Sequence, residues 1–200
     1  MTKASQRIPP GKSGQSQRRR STKKDDKLSM WLVGGGAVIT LILIVLVLNP
    51  PQPGAIEGVV TYSNLARDHI DGPITYPQTP PVGGPHNPVW LNCGIYDQPV
   101  KNENAVHSME HGTVWITYQP DLAADAVAHL RSLVQGHGFV ILSPYPNLPK
   151  PVVASAWGLQ LQLDNANDSR LPLFIAHYEQ GPQTPEPGAV CTGGTGKPIG

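Results

Sequence analysis

Apolar and polar positions follow three different rules along this chain. Between Trp31 and Leu48 the run "WLVGGGAVITLILIVLVL" is continuously apolar and carries no charge. As a helix it spans roughly 27 Å, close to a bilayer's hydrocarbon core. A soluble amphipathic helix needs a polar face, and this run has none. It predicts one transmembrane helix over 29–49. "NPPQPG" follows and cannot continue a helix, so 50–55 read as a stiff linker. From Ile74 to Trp90, "ITYPQTPPVGGPHNPVW" is so dense in proline and glycine that it reads as extended and turning backbone. An irregular segment of this length inside a domain is often functional.

Beyond Gly112 the pattern becomes regular. "GTVWITY" (Gly112 to Tyr118) alternates and is β-rich, so it predicts a strand. "LAADAVAHLRSLVQ" follows, with Asp121 as its expected N-cap. It places Leu122, Ala126, Leu130, Leu133 and Val134 on one helical face. "GFVILS" (Gly138 to Ser143) reads as a second strand. "PVVASAWGLQLQL" (Pro151 to Leu163) reads as one or two more, with Gly158 as a break or bulge. "SRLPLFIAHYEQ" (Ser169 to Gln180) reads as a closing helix with Pro172 in its first turn. The expected domain over 56–200 is therefore α/β or α+β, a small sheet with packed helices, preceded by one transmembrane helix.

Charge gives that helix a direction. Nine of the fifteen basic residues precede it: Lys3, Arg7, Lys12, Arg18, Arg19, Arg20, Lys23, Lys24 and Lys27. Asp25 and Asp26 alone oppose them, and the remainder of the chain is acidic. Residues 1–28 are polar, basic and expected to be disordered and cytoplasmic, which places the C-terminal domain outside the membrane. A cleaved signal peptide would have a shorter apolar region and a small-x-small site. Topogenesis accounts for "RRRSTKK", so no nucleic-acid partner is expected. The location read from the sequence is a single-pass cell-membrane protein.

Cys93 and Cys191 are the only cysteines, and both fall on the outer side. In an oxidising compartment such a pair forms a disulfide. The alternative makes Cys93 a thiolate ligand beside His86.

The candidate chemistry lies in "VHSMEHG" (Val106 to Gly112). "NENAVHSMEHG" predicts about two helical turns, capped by Asn102 or Asn104 and ended by Gly112. His107 and His111 would share a face and grip one metal ion, zinc or copper. The order His-x-x-Glu-His also matches the inverted zinc-peptidase signature, with Glu110 as general base and Glu179 as a further ligand. His-x-Met-x-His brings Met109 in as a copper(I) thioether. His86 and His177 complete the candidate metal set, while His69, His129 and His137 read as loop or surface residues. Against all of these stands a buried His107–Glu110–His111 hydrogen-bond network with no metal.

The stretches "TYPQTPPVGGPHNPVWLNCGIYDQPV", "VHSMEHGTVWITY", "SPYP", "AWG" and "PEPGAVC" occur in this order between Ile56 and Cys191. In them the chain resembles the bacterial domain of unknown function 3105. The resemblance singles out Pro80, Pro81, Gly84, His86, Cys93, Gly94, Tyr96, His107, Glu110, His111, Gly112, Ala156, Trp157, Gly158 and Cys191. It implies a short N-terminal membrane anchor carrying one extracytoplasmic domain, and it brings no established activity. Family members often have Leu where Met109 stands, which weakens the thioether reading. Three function classes follow: transition-metal binding through the His-x-x-Glu-His cluster, a structural or partner-binding envelope module without metal, and a small zinc-dependent hydrolase.

Overall fold

The alternating residues Val114–Tyr118 form a central strand of a six-stranded sheet in the computed structural model, which describes residues 55–199. The expected cytoplasmic segment, the transmembrane helix over 29–49 and most of the linker lie outside these residues. Among the described residues no helix is long and apolar enough to cross a membrane.

The strands are β1 (Val59–Thr61), β2 (Gly94–Ile95), β3 (Val114–Tyr118), β4 (Val140–Pro144), β5 (Val152–Ala156) and β6 (Leu159–Leu163). The helices are α1 (Asn102–Glu110), α2 (Ala124–Val134) and α3 (Arg170–Tyr178). The sheet order is β1-β6-β5-β3-β4-β2. β3, β4 and β2 run parallel, and β5, β6 and β1 continue the sheet antiparallel. The α/β or α+β expectation thus resolves to mixed α/β. Between Ala156 and Leu159, Trp157 and Gly158 form a two-residue hairpin turn, which makes "PVVASAWGLQLQL" two strands.

Alternation gives the sheet two unlike faces. On one, Val114, Ile116, Leu142, Ala154, Leu161 and Leu163 meet Leu130 and Val134 of α2 and Leu171, Phe174 and Ile175 of α3. Each such large side chain, when fully buried, contributes about 1.5–3 kcal/mol. On the other face, Trp115 and Ile141 meet Ala105, Val106 and Met109 of α1, together with Leu91, Tyr96 and Trp157. Thr117, Ser143, Ser155 and Gln160 are buried on the same side. The proline-rich segment covers part of it, and its backbone groups need partners. Gln160 Nε2 accordingly donates to the Pro80 carbonyl at 3.0 Å, and Trp115 Nε1 donates to Ser143 Oγ at 3.0 Å.

Two expected caps are replaced. α2 begins at Ala124 behind Ala123, not behind Asp121. Pro120 and Asp121 belong to a turn that the Leu122 N–H closes on the Gln119 carbonyl at 3.0 Å. α1 begins behind Lys101 with no side-chain cap. Asn102 donates instead to Tyr145 Oη, and Asn104 to the Val89 carbonyl, so both asparagines make tertiary contacts. The C-terminal end of α1 is as expected. Gly112 N–H meets the Met109 carbonyl and Thr113 N–H meets the Ser108 carbonyl, a Schellman closure with Gly112 at φ +99°.

Cys93 and Cys191 form the disulfide, with their Cα atoms 5.4 Å apart, so Cys93 is not a thiolate ligand. Thr113 Oγ1 lies 3.2 Å from each sulfur. The bridge ties the irregular C-terminal tail to the residue just before β2.

A Cβ at Gly112 would stand 2.9 Å from Thr184 Oγ1 and 3.0 Å from the Gln180 backbone, in a conformation L residues avoid. Gly112→Ala should destabilise the protein by about 1–3 kcal/mol in urea unfolding; an unchanged midpoint would show that the closure of α1 is not under steric control. Replacing both cysteines by Ser should cost up to about 4–5 kcal/mol for the long loop closed, read in the same assay.

Candidate metal centre

α1 is short and buried along most of its length, and its faces are divided by arithmetic. Residues step around a helix by about 100°. Measured from His107, Glu110 falls about 60° to one side and His111 about 40° to the other, while Met109 and Ala105 fall on the opposite face. The structure uses that division. Ala105, Val106 and Met109 enter the core with Trp115. Met109 is fully buried there and is no thioether ligand. His107, Glu110 and His111, also buried, face the proline-rich segment and the tail.

The segment before α1 delivers two more imidazoles. His86 N–H donates to the Asp68 carbonyl at 2.9 Å, and Ile70 N–H donates to the His86 carbonyl at 2.7 Å. These two bonds form a parallel bridge that sets His69 beside His86. The His69 ring lies 4.8 Å from that of His86 and 4.9 Å from that of His107, centre to centre. Nitrogen donors of His69, His86 and His107 and a carboxylate oxygen of Glu110 all lie within 4.8 Å of one another. Three of these residues are buried and His69 is exposed.

Three ring orientations are fixed by backbone carbonyls. His86 Nδ1 donates to Gly84 O at 2.8 Å, His107 Nδ1 to Asn87 O at 2.6 Å, and His111 Nδ1 to Val190 O at 2.7 Å. A carbonyl only accepts, so Nδ1 carries the hydrogen and Nε2 presents its lone pair in the neutral ring. This is the support that metal-ligating histidines have. Gly84, at φ +112°, turns its carbonyl onto His86.

The consequence is sharpest at His86. Its Nε2 lies 2.9 Å from Glu110 Oε2, with both side chains inside. Among the described residues neither atom has a hydrogen-bond partner. Two bare acceptors at that distance repel; a proton on His86 or a metal cation held by both atoms removes the repulsion. His107 adds a neutral donor: burial, opposed by its bond to Asn87 and helped by His111, His86 and His69, holds its pKa down at about 4. Arg67 stands at the exposed side, with Nε 3.9 Å from Glu110 Oε1.

The other candidates lie elsewhere. His111 is outside the converging group: its Nε2 lies 3.7 Å from Glu186 Oε2, under the tail, and its ring is 5.2 Å from Trp90. His177 is exposed on α3 and packs against Tyr178. Glu179 accepts from Phe139 N–H at 2.8 Å and pairs with His137, so it holds the start of β4. The inverted-peptidase pattern needs His107 and His111 on one ion and Glu110 free; here Glu110 is among the converging donors and His111 is not. His69 carries no motif of its own. Its place follows from the backbone pairing with His86, and sequence spacing holds no trace of that.

A small mixed α/β domain with three imidazoles and a carboxylate gathered under a proline-rich loop is the class of protein that fold and site define. The family described as "Protein of unknown function (DUF3105)" matches residues 69–193, and the chain belongs to it. Comparison with curated proteins and with solved structures finds no match.

The depressed His107 pKa makes a stability prediction for the metal-free protein. The unfolded histidine takes a proton near pH 6.5 and the folded one only near 4. The stabilisation is therefore complete above about pH 6.5 and is lost as pH falls toward about 4. At about 1.4 kcal/mol per unit, the loss reaches about 3 kcal/mol. Urea unfolding in chelator across that range should show it, and His107→Asn, which retains a donor toward Asn87, should flatten the profile.

Proposed function

We propose that the domain binds one transition-metal ion through His86 Nε2, His107 Nε2, the Glu110 carboxylate and the His69 imidazole. The observation that carries this reading is the buried His86 Nε2–Glu110 Oε2 approach at 2.9 Å without a hydrogen bond. A divalent cation between them turns repulsion into two coordinate bonds. Imidazole and carboxylate donors suit zinc(II) or copper(II); Met109 is buried in the core and, among the described residues, no thioether joins the donors. The reading further places the domain on the outer face of a membrane, anchored by the run from Trp31 to Leu48 with the basic lead inside. The disulfide supports that placement, because such bridges persist in oxidising compartments.

Protein purified without a polyhistidine tag should retain about one zinc or copper per chain by elemental analysis. His86→Ala, His107→Ala and Glu110→Gln should each lose it, and His177→Ala should not. Glu110→Gln carries a second test in the metal-free state. A Gln amide can donate to His86 Nε2, so this variant should be more stable than the parent in chelator, by about 1 kcal/mol. A wild-type chain that stays metal-free after reconstitution, with Glu110→Gln less stable, would show a protonated His86–Glu110 pair and end the metal reading.

A further inference from the structure

Resting on the metal reading above, we propose that the centre is also an anion site: an ion held by this cluster takes a small oxyanion as an exchangeable ligand, which Arg67 receives.

The four donors are not equally enclosed. His86, His107 and Glu110 are buried, whereas the His69 side chain is 47% exposed, so the cluster opens to solvent on the His69 side. Arg67 stands on that side, two residues from His69, with its own side chain 56% exposed. Its Nε edge faces Glu110 Oε1 at 3.9 Å, too long for a hydrogen bond. Among the described residues Glu110 is the one carboxylate within 4.0 Å of it. Asp68 and Asp71, its exposed neighbours in sequence, are outside that distance.

Charge then decides what the mouth attracts. With no cation present, Arg67 and Glu110 offset each other. Once the carboxylate is given to a divalent ion, Arg67 loses its counter-charge, and ion, carboxylate and guanidinium together leave an excess of positive charge open to solvent. His69 and His107 bring no compensating charge, because ligating imidazoles are neutral. The rest of the domain is acidic, so the positive mouth is a local exception. The guanidinium's free edge matches the paired oxygens of a carboxylate or phosphate, which selects oxyanions over other anions. The ligand class is therefore a small oxyanion with one oxygen on the metal and another on Arg67.

The test uses full-length protein loaded with cobalt(II), whose visible spectrum reports its ligands, with cobalt content measured first. Acetate is then titrated. The wild type should show a saturable spectral change at one acetate per cobalt. Arg67→Gln should hold the same cobalt with acetate binding at least tenfold weaker, and Arg67→Lys should fall between. Cobalt at one per chain with no acetate response, or equal acetate affinity in Arg67→Gln, would overturn the anion site and leave the metal reading intact. A wild-type chain that retains neither cobalt nor, after reconstitution, zinc or copper would overturn both.

Discussion

His86 Nε2 and Glu110 Oε2 are held 2.9 Å apart where water does not reach, and the surrounding architecture can be read as what is needed to hold them there. Each comes from a different part of the chain. Glu110 is on the last turn of α1, whose opposite face is locked into the core by Met109 and Val106. His86 is in a segment pinned by bonds to Asp68 and Ile70. Neither part can relax alone, since retreat of Glu110 would rotate apolar residues out of the core. Retreat of His86 would strand its backbone groups in the interior.

The density of proline and glycine around this pair has a physical logic. A buried histidine ring needs partners for its nitrogens, and carbonyls within helices and sheets are already spent. The acceptors here are Gly84, Asn87 and Val190, all in irregular backbone. Irregular segments near a core are unstable unless fastened. The Gly158 N–H donates to the Val82 carbonyl at 2.7 Å, and the Cys93–Cys191 bridge fastens the tail. The disulfide thus reaches the site at a remove: it places Val190, which orients His111, and the His111 ring packs against that of His107.

Much of this was legible in the residue pattern where one period governed a long enough stretch. β3 to β6, α2 and α3 follow from alternation and from helical faces, with shifted ends. β1 and β2 were not legible, because three residues and two residues are too short to show a period. Asp121 misled because it is a good cap in isolation, while Pro120 and the Gln119 turn already fix its backbone. At the site, His107 and Glu110 were legible from helical spacing, and His86 from its place in the loop. His69 was not, since its position depends on a bridge between two segments that have no periodicity.

The same helix explains why a motif with two histidines gives only one of them to the cluster. His107 lies between Glu110 and His111 around the axis, so the elements on either side of α1 divide the three residues. The proline-rich segment approaches from the Glu110 side with His86, and the Asp68–Ile70 stretch paired to it brings His69. The tail approaches from the other side and takes His111 through Val190 and Glu186. His107 touches both groups, with ring centres 4.8 Å from His86 and 4.6 Å from His111. A change at the tail therefore has a short path to the donors, through two packed rings, whereas the apolar core on the far face of the sheet has none so direct. With His86 neutral and no ion bound, the repulsion between the two donors is borne by the near-face core around Met109 and Val106 and by the His69–His86 bridge. In the metal reading, ion binding relieves it, so affinity for the ion and stability of the fold are linked quantities.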